Sequence, residues 1–173
     1  MEKVLLIKRL TKNAIYLALL CAIGMFAIPL GDNIKVSLQL LIVFIIGLTA
    51  TSFVDTLIIT SLYLGLGMFL PIYAGFHAGI SPTFGYVISF VVISIPLYFL
   101  NKLKIKNDFL RMGLACSVSL IVCYVIGTLF FMLYLNLSIE KALLISVVPY
   151  IPFDIAKIII ATLVVNLLPS KYR

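Results

Sequence analysis

The apolar residues of this chain stand in long unbroken runs separated by short polar connectors, and that pattern leaves few folds open. The runs cover about residues 14–28, 38–52, 56–70, 82–100, 109–135 and 152–168. A helix needs roughly 17–25 apolar residues to cross hydrocarbon, so several of these runs sit at the low edge of spanning length. None alternates apolar with polar, as the strands of a transmembrane barrel must, so strands are not expected. With 64% hydrophobic and 11% charged residues, a water-soluble fold would expose large apolar patches and aggregate. Lipid removes that penalty. The sequence therefore reads as an all-α integral membrane protein, a six-transmembrane-helix bundle forming one domain over residues 1–173.

Charge sets the orientation. A net charge of +7 on a soluble domain would point to nucleic acid. Here the basic residues fall in three short segments: Lys3, Lys8, Arg9 and Lys12; Lys102, Lys104, Lys106 and Arg111; Lys171 and Arg173. Six spans put all three on one side, and an excess of Lys and Arg marks the cytoplasmic side. Both termini are thus expected in the cytoplasm, with Lys35, Lys141 and Lys157 toward the opposite face, in a bacterial or archaeal cell membrane. The basic start followed by an apolar run resembles a signal peptide. A second span follows it, however, so residues 13–28 are read as a retained first helix. Pro29, Gly31, Asp32 and Asn33 end that run, Asp55 marks a tight turn, and Pro71 closes the third span. Residues 138–148 form a short amphipathic stretch before Pro149 and Pro152. Cys21, Cys116 and Cys123 lie inside apolar runs without metal-ligand spacing and read as small buried hydrophobes. No metal or cofactor is expected.

Four constellations stand out from this background. Ala14, Ala18 and Ala22 share one face of the first helix, where small side chains let another helix approach closely. That face suits either a partner subunit or packing within the bundle. Asp154 and Lys157 share a face of the last helix, just after Pro152, which suits a first turn. The helix dipole there favours the carboxylate. Ionisable residues within a span usually meet a cavity or a partner. An acceptor carboxylate beside a donor ammonium suits a urea-like or amide-like group, or else forms a structural ion pair. In the stretch 73–86, His77, Ser81, Thr83 and Tyr86 are placed to line the mouth of a pocket, with glycines for close backbone approach. His77 is the single histidine, so a histidine metal site is not expected. Gln39 enters an apolar run as a lone amide and wants a hydrogen-bond partner, either in the bundle or on a ligand.

These features occur together, in this order, in the substrate-binding S components of energy-coupling-factor vitamin transporters, and the chain most resembles the BioY family of biotin S components. Ile34-Lys-Val-Ser-Leu-Gln39 resembles the family's Pro-Ile-Thr-Leu-Gln, and Leu70-Pro-Ile-Tyr-Ala-Gly75 its Leu-Pro-Val-Phe-Ala-Gly. Ser81-Pro-Thr-Phe-Gly-Tyr86 resembles Gly-Pro-Thr-Gly-Gly-Tyr. Val148-Pro-Tyr-Ile-Pro-Phe-Asp-Ile-Ala-Lys157 resembles Pro-Phe-Leu-Pro-Gly-Asp-x-x-Lys. The resemblance implies a six-helix S component with a pocket near the outer face. It implies that Asp154 and Lys157 bond the ureido ring of biotin, and that Gln39, Thr83 and Tyr86 frame the pocket. It also implies that the Ala14/Ala18/Ala22 face docks on a transmembrane T component, driven by two ATPases. Residues 76–79 read Phe-His-Ala-Gly, without the basic Gly-Arg common in the family, and Phe153 stands at the motif's glycine. A biotin-related ligand such as dethiobiotin therefore stays open beside biotin.

The chain carries no Gly-x-x-x-x-Gly-Lys-[Ser/Thr] loop, so energy must come from partners or a gradient. An intramembrane enzyme would need converging catalytic groups, and the carboxylates Asp55 and Asp154 fall on opposite sides. The expectation is a non-enzyme: a biotin-uptake subunit in contact with lipid and not with nucleic acid. The alternative is a non-transporting membrane assembly protein.

Overall fold

The computed structural model describes residues 2–29 and 35–169. The loop residues Gly31, Asp32 and Asn33, Ile34 of the first motif, and Lys171 and Arg173 lie outside the described residues. The order is α1 (Glu2–Gly24), β1 (Ala27–Pro29), β2 (Lys35–Ser37), α2 (Gln39–Thr49), α3 (Phe53–Gly67), α4 (Phe84–Leu100), α5 (Asp108–Leu135) and α6 (Ile139–Ser146). A single 3-10 turn (Val148–Tyr150) then leads into α7 (Ile151–Leu167). Each of the six expected runs becomes a helix, and the amphipathic stretch becomes α6. By length and composition, α5 and the near-continuous stretch 139–167 can cross a membrane, while α2, α3 and α4 are shorter apolar helices. The bundle turns apolar side chains outward, as a lipid environment allows: on α5, Ile121, Val125, Leu129 and Leu133 are all exposed.

The structure corrects three expectations. Two short strands do form: β1 and β2 pair antiparallel, with Ile28 opposite Val36. Pro29 lacks the N–H a helix would use, and β-branched residues across a hairpin favour pairing, so the chain turns straight back into α2. Next, α1 begins at Glu2 rather than near residue 14, so the basic residues of the N-terminus lie on the helix itself. Lys, Arg and Leu are good helix formers, and long cationic side chains can keep their heads in water beside an apolar stem. Finally, Asp55 belongs not to the turn but to the first turn of α3, where it forms a capping box with Ser52. The helix before it, α2, has only eleven residues.

The bundle has two unlike poles. At one, Asp55 ties α1 to α3: Arg9 Nε donates to both its oxygens at 2.8 and 3.0 Å, and Asn13 Nδ2 to Oδ1 at 2.8 Å. Lys12 Nζ donates to the Thr49 carbonyl at 2.6 Å, and Asn101 Nδ2 to the Leu48 carbonyl at 3.0 Å. This pole gathers the start of α1, the α2–α3 turn, the end of α4 and the start of α5. At the other gather the β hairpin, residues 68–83, α6 and the start of α7. The 68–83 segment is anchored there by Gly75 N, which donates to Met25 O at 2.9 Å. Gly75 and Phe76 both have positive φ, which tightens the turn that brings His77 back onto Tyr73. Burial pushes the Tyr73 phenol up to about 12, so it stays protonated and donates to Leu64 O at 2.6 Å.

Candidate functional site

At the pole away from Asp55 lies a cavity of about 500 Å³, inside the range of roughly 300–1,000 Å³ common for small-molecule sites. All six binding residues expected from the sequence line it: Gln39, His77, Thr83, Tyr86, Asp154 and Lys157. They come from α2, the 73–83 segment, α4 and α7. The cavity has a buried floor and an exposed rim. Gln39, Phe90, Cys123, Asp154 and Lys157 are buried, while His77, Thr83, Leu135 and Ile145 are exposed.

The floor is built around the start of α7. The 3-10 turn at Pro149 and the early placement of Pro152 let a new helix begin inside the bundle, with Asp154 in its first turn. Lys157 follows one turn later and donates from Nζ to Asp154 Oδ1 at 2.7 Å. Tyr124, on α5, donates its hydroxyl to the other oxygen, Oδ2, at 2.6 Å. Asp154 and Lys157 are 4% and 7% exposed, so each charge depends on the other for compensation. The pair keeps spare capacity. The ammonium has further N–H donors, and the carboxylate has lone pairs beyond the two in use. The floor thus offers a donor and an acceptor side by side in a buried, electrically balanced site.

Two other expected residues are held by the bundle itself. Gln39 donates from Nε2 to the Tyr63 hydroxyl at 2.5 Å, and that hydroxyl donates to Ile72 O at 2.9 Å. Gln39 therefore has a bundle partner and also faces the cavity, so the two readings of its amide are not exclusive. α1 closes on this network at Gly24, where a Cβ would stand 2.8 Å from the Tyr63 oxygen. Tyr86 donates to the Ser146 carbonyl at 3.1 Å and lies 2.8 Å from Ser146 Oγ, joining α4 to α6. Its ring lies where a side chain at Gly127 would collide with it, so glycine at 127 sets the spacing of α4 and α5 beside the cavity. At the rim, Ser81 Oγ and Thr83 Oγ1 are 3.2 Å apart. His77 is both exposed and part of the lining.

Sequence reasoning missed Tyr124 and Ser146, and it gave Cys123 no place in a site. Cys123 is buried as expected, yet it also borders the cavity and accepts from Ser89 Oγ at 2.9 Å. Tyr124 sits in the apolar run of the 28-residue α5, where nothing marks one tyrosine among its neighbours. The only available hint was that α5 must face α7.

The alanine face lies elsewhere. Ala14, Ala18 and Ala22 are all exposed, whereas Leu20 of the same helix is fully buried and Tyr16 and Leu17 pack on the core. The face is therefore not used for packing within the bundle. Asp55 and Asp154 lie at opposite poles and form no carboxylate dyad.

Comparison with known proteins agrees with this arrangement. A family model described as the BioY family matches residues 1–173. The chain is 28% identical over 162 residues to the biotin transporter BioY of Thermotoga maritima, covering 91% of this chain and 93% of that one. It is 25% identical over 181 residues to the biotin transporter BioY of Rhodobacter capsulatus, covering 96% and 95%. Its fold matches a crystal structure described as the S-component for biotin from an ECF-type ABC transporter, with a TM-score of 0.84, 23% identity, and coverage of 96% and 93%.

Proposed function

The chain belongs to the BioY family, and from that premise we propose that it is the biotin-binding S subunit of an energy-coupling-factor transporter. It captures biotin at the cavity pole and releases it inside when docked on a T component driven by two ATPases. The observation that carries this reading is the floor of the cavity, where Asp154, Lys157 and Tyr124 form one buried hydrogen-bonded group. The ureido ring of biotin is a neutral group with two N–H donors and one carbonyl acceptor. Asp154 accepts from the ring N–H groups, and Lys157 donates to the carbonyl. Gln39 and Tyr86 wall the pocket, and Thr83 and His77 sit at its mouth. The exposed Ala14/Ala18/Ala22 face is the docking surface for the T component, because close helix approach needs small residues and the bundle leaves these free. The cavity pole faces outward and the pole of Arg9 and Lys102 faces the cytoplasm, which follows the positive-inside rule.

The test is a thermal-shift panel on the purified full chain, in detergent and in nanodiscs, with biotin, dethiobiotin, lipoate and thiamine. A ligand of the native state raises stability with its excess over Kd. Biotin raises the midpoint and thiamine leaves it unchanged. Dethiobiotin, which keeps the ureido ring, reports how far the rest of the ligand is read. No response to biotin in either medium would sink the assignment.

A further inference from the structure

We infer that the cavity reads the urea end of its ligand and leaves the acid end unread, so that neutral amides of biotin bind as biotin does. This rests on the biotin reading above. Its grounds are the distribution of charge and exposure along the cavity. Among the described lining residues, the Asp, Glu, Lys and Arg side chains number two, Asp154 and Lys157, and both are on the floor and bonded to each other. They sum to zero, so they fit a neutral polar head and offer no excess positive charge to a carboxylate. The rim is different in kind. Its polar side chains, among the described residues, are the hydroxyls of Ser37, Ser81, Thr83 and Tyr150, with Ser81 and Thr83 3.2 Å apart, and the exposed imidazole of His77. A hydroxyl donates or accepts with equal ease, so it serves an amide as well as an acid. Thr83 and His77 are exposed, so a carboxylate beside them keeps much of its water, and contacts made in that setting are weak.

The rim also leaves a way out for a larger group. Next to the lining residues Ala27 and His77 stand Phe26 and Phe76, both exposed, with their rings edge to face at 5.7 Å. An alkyl chain joined to the ligand through an amide would have this apolar surface to lie along. The chemical class admitted is therefore biotin joined at its acid carbon to an amine, up to the size of biotinyl-lysine.

The experiment is competition for labelled biotin on the full chain in nanodiscs. The competitors are biotin, its N-propyl amide, biotinyl-lysine, and biotin methylated on both ureido nitrogens. Both amides should compete within about fivefold of biotin, as expected when an exposed charge contact is all that changes. The dimethylated compound should be weaker by about a hundredfold or more, because it leaves a buried acceptor unpaired. Biotin affinity should also change by less than about twofold between low and high salt, since the described lining residues place no Lys or Arg at the rim. Amides weaker than biotin by about thirtyfold or more, with a strong salt dependence, would overturn the inference and leave the biotin reading intact. Failure of biotin itself to bind would overturn both.

Discussion

Tyr124 and Lys157 share one carboxylate through its two different oxygens: the phenol on α5 donates to Oδ2 of Asp154 and the ammonium on α7 donates to Oδ1. Two helices that meet in the core are thus joined through a single charged group at the floor of the cavity. The ion pair fixes the charge balance, and the tyrosine fixes the direction in which the remaining lone pairs face.

Removing one member of the pair should cost both folding and binding. Lys157→Ala leaves Asp154 buried and uncompensated, and the expected loss of stability is about 3–5 kcal/mol. The double variant Asp154→Asn/Lys157→Met should recover most of that stability and still fail to bind biotin. Thermal unfolding and biotin titration of the three proteins separate the two roles. Recovery of binding in the double variant would count against a direct role for the pair.

Tyr124→Phe is a milder change. It deletes one hydrogen bond to a carboxylate and leaves the ring in place, so the helices should pack as before. Hydrogen bonds to charged groups are worth about 1.5–3 kcal/mol and this one is made within the protein, so stability should fall by about that much, while biotin affinity should fall by about tenfold or less. Calorimetric titration gives the affinity, and circular dichroism checks the fold.

Enlarging the alanine face should separate binding from transport. Ala18 is exposed and is not part of the lining of the candidate site, so Ala18→Leu should keep biotin affinity within about twofold, as surface changes usually do. The same variant should lose co-purification with its T component and lose uptake in cells, because a larger side chain keeps the two helices apart. Normal uptake by Ala18→Leu would remove this face from the docking surface.

At the basic pole the two partners of one ion pair should behave unequally. The Arg9 side chain is 42% exposed, and that of Asp55 only 5%. Arg9→Ala should therefore cost about 1 kcal/mol or less. Asp55→Ala also strips the bonds to Asn13 and the Ser52 backbone, and so removes the capping box of α3; about 2–4 kcal/mol is expected. Chemical denaturation in mixed micelles measures both.

Part of the candidate site stood out in the sequence because some of its expected members break an apolar pattern. Gln39, Asp154 and Lys157 are polar where hydrocarbon would tolerate none without a reason, and the structure brings them to one cavity. Tyr124 gave no such contrast. Its ring belongs in an apolar run, and only the geometry of α5 against α7 turns its hydroxyl onto Asp154. The helices were legible as runs, but their ends were not. Hydropathy sees Lys3, Lys8, Arg9 and Lys12 as a flank, while the backbone continues its helix through them. The hairpin was invisible for a related reason: Ala27 and Ile28 look like the last turn of an apolar helix until Pro29 denies it a donor.

The shortness of α2 has a consequence for the membrane itself. Eleven residues of helix rise about 16 Å, roughly half of a hydrocarbon core about 30 Å thick. Its first residue, Gln39, already borders the cavity, and its last, Thr49, already meets Lys12 of the opposite pole. Along α2, about 16 Å separates the cavity from the opposite pole. On the function proposed above, a solute resting on Asp154 and Lys157 lies one short helix from the opposite pole, and the work left to an energy-coupling machine is to move or tilt that helix.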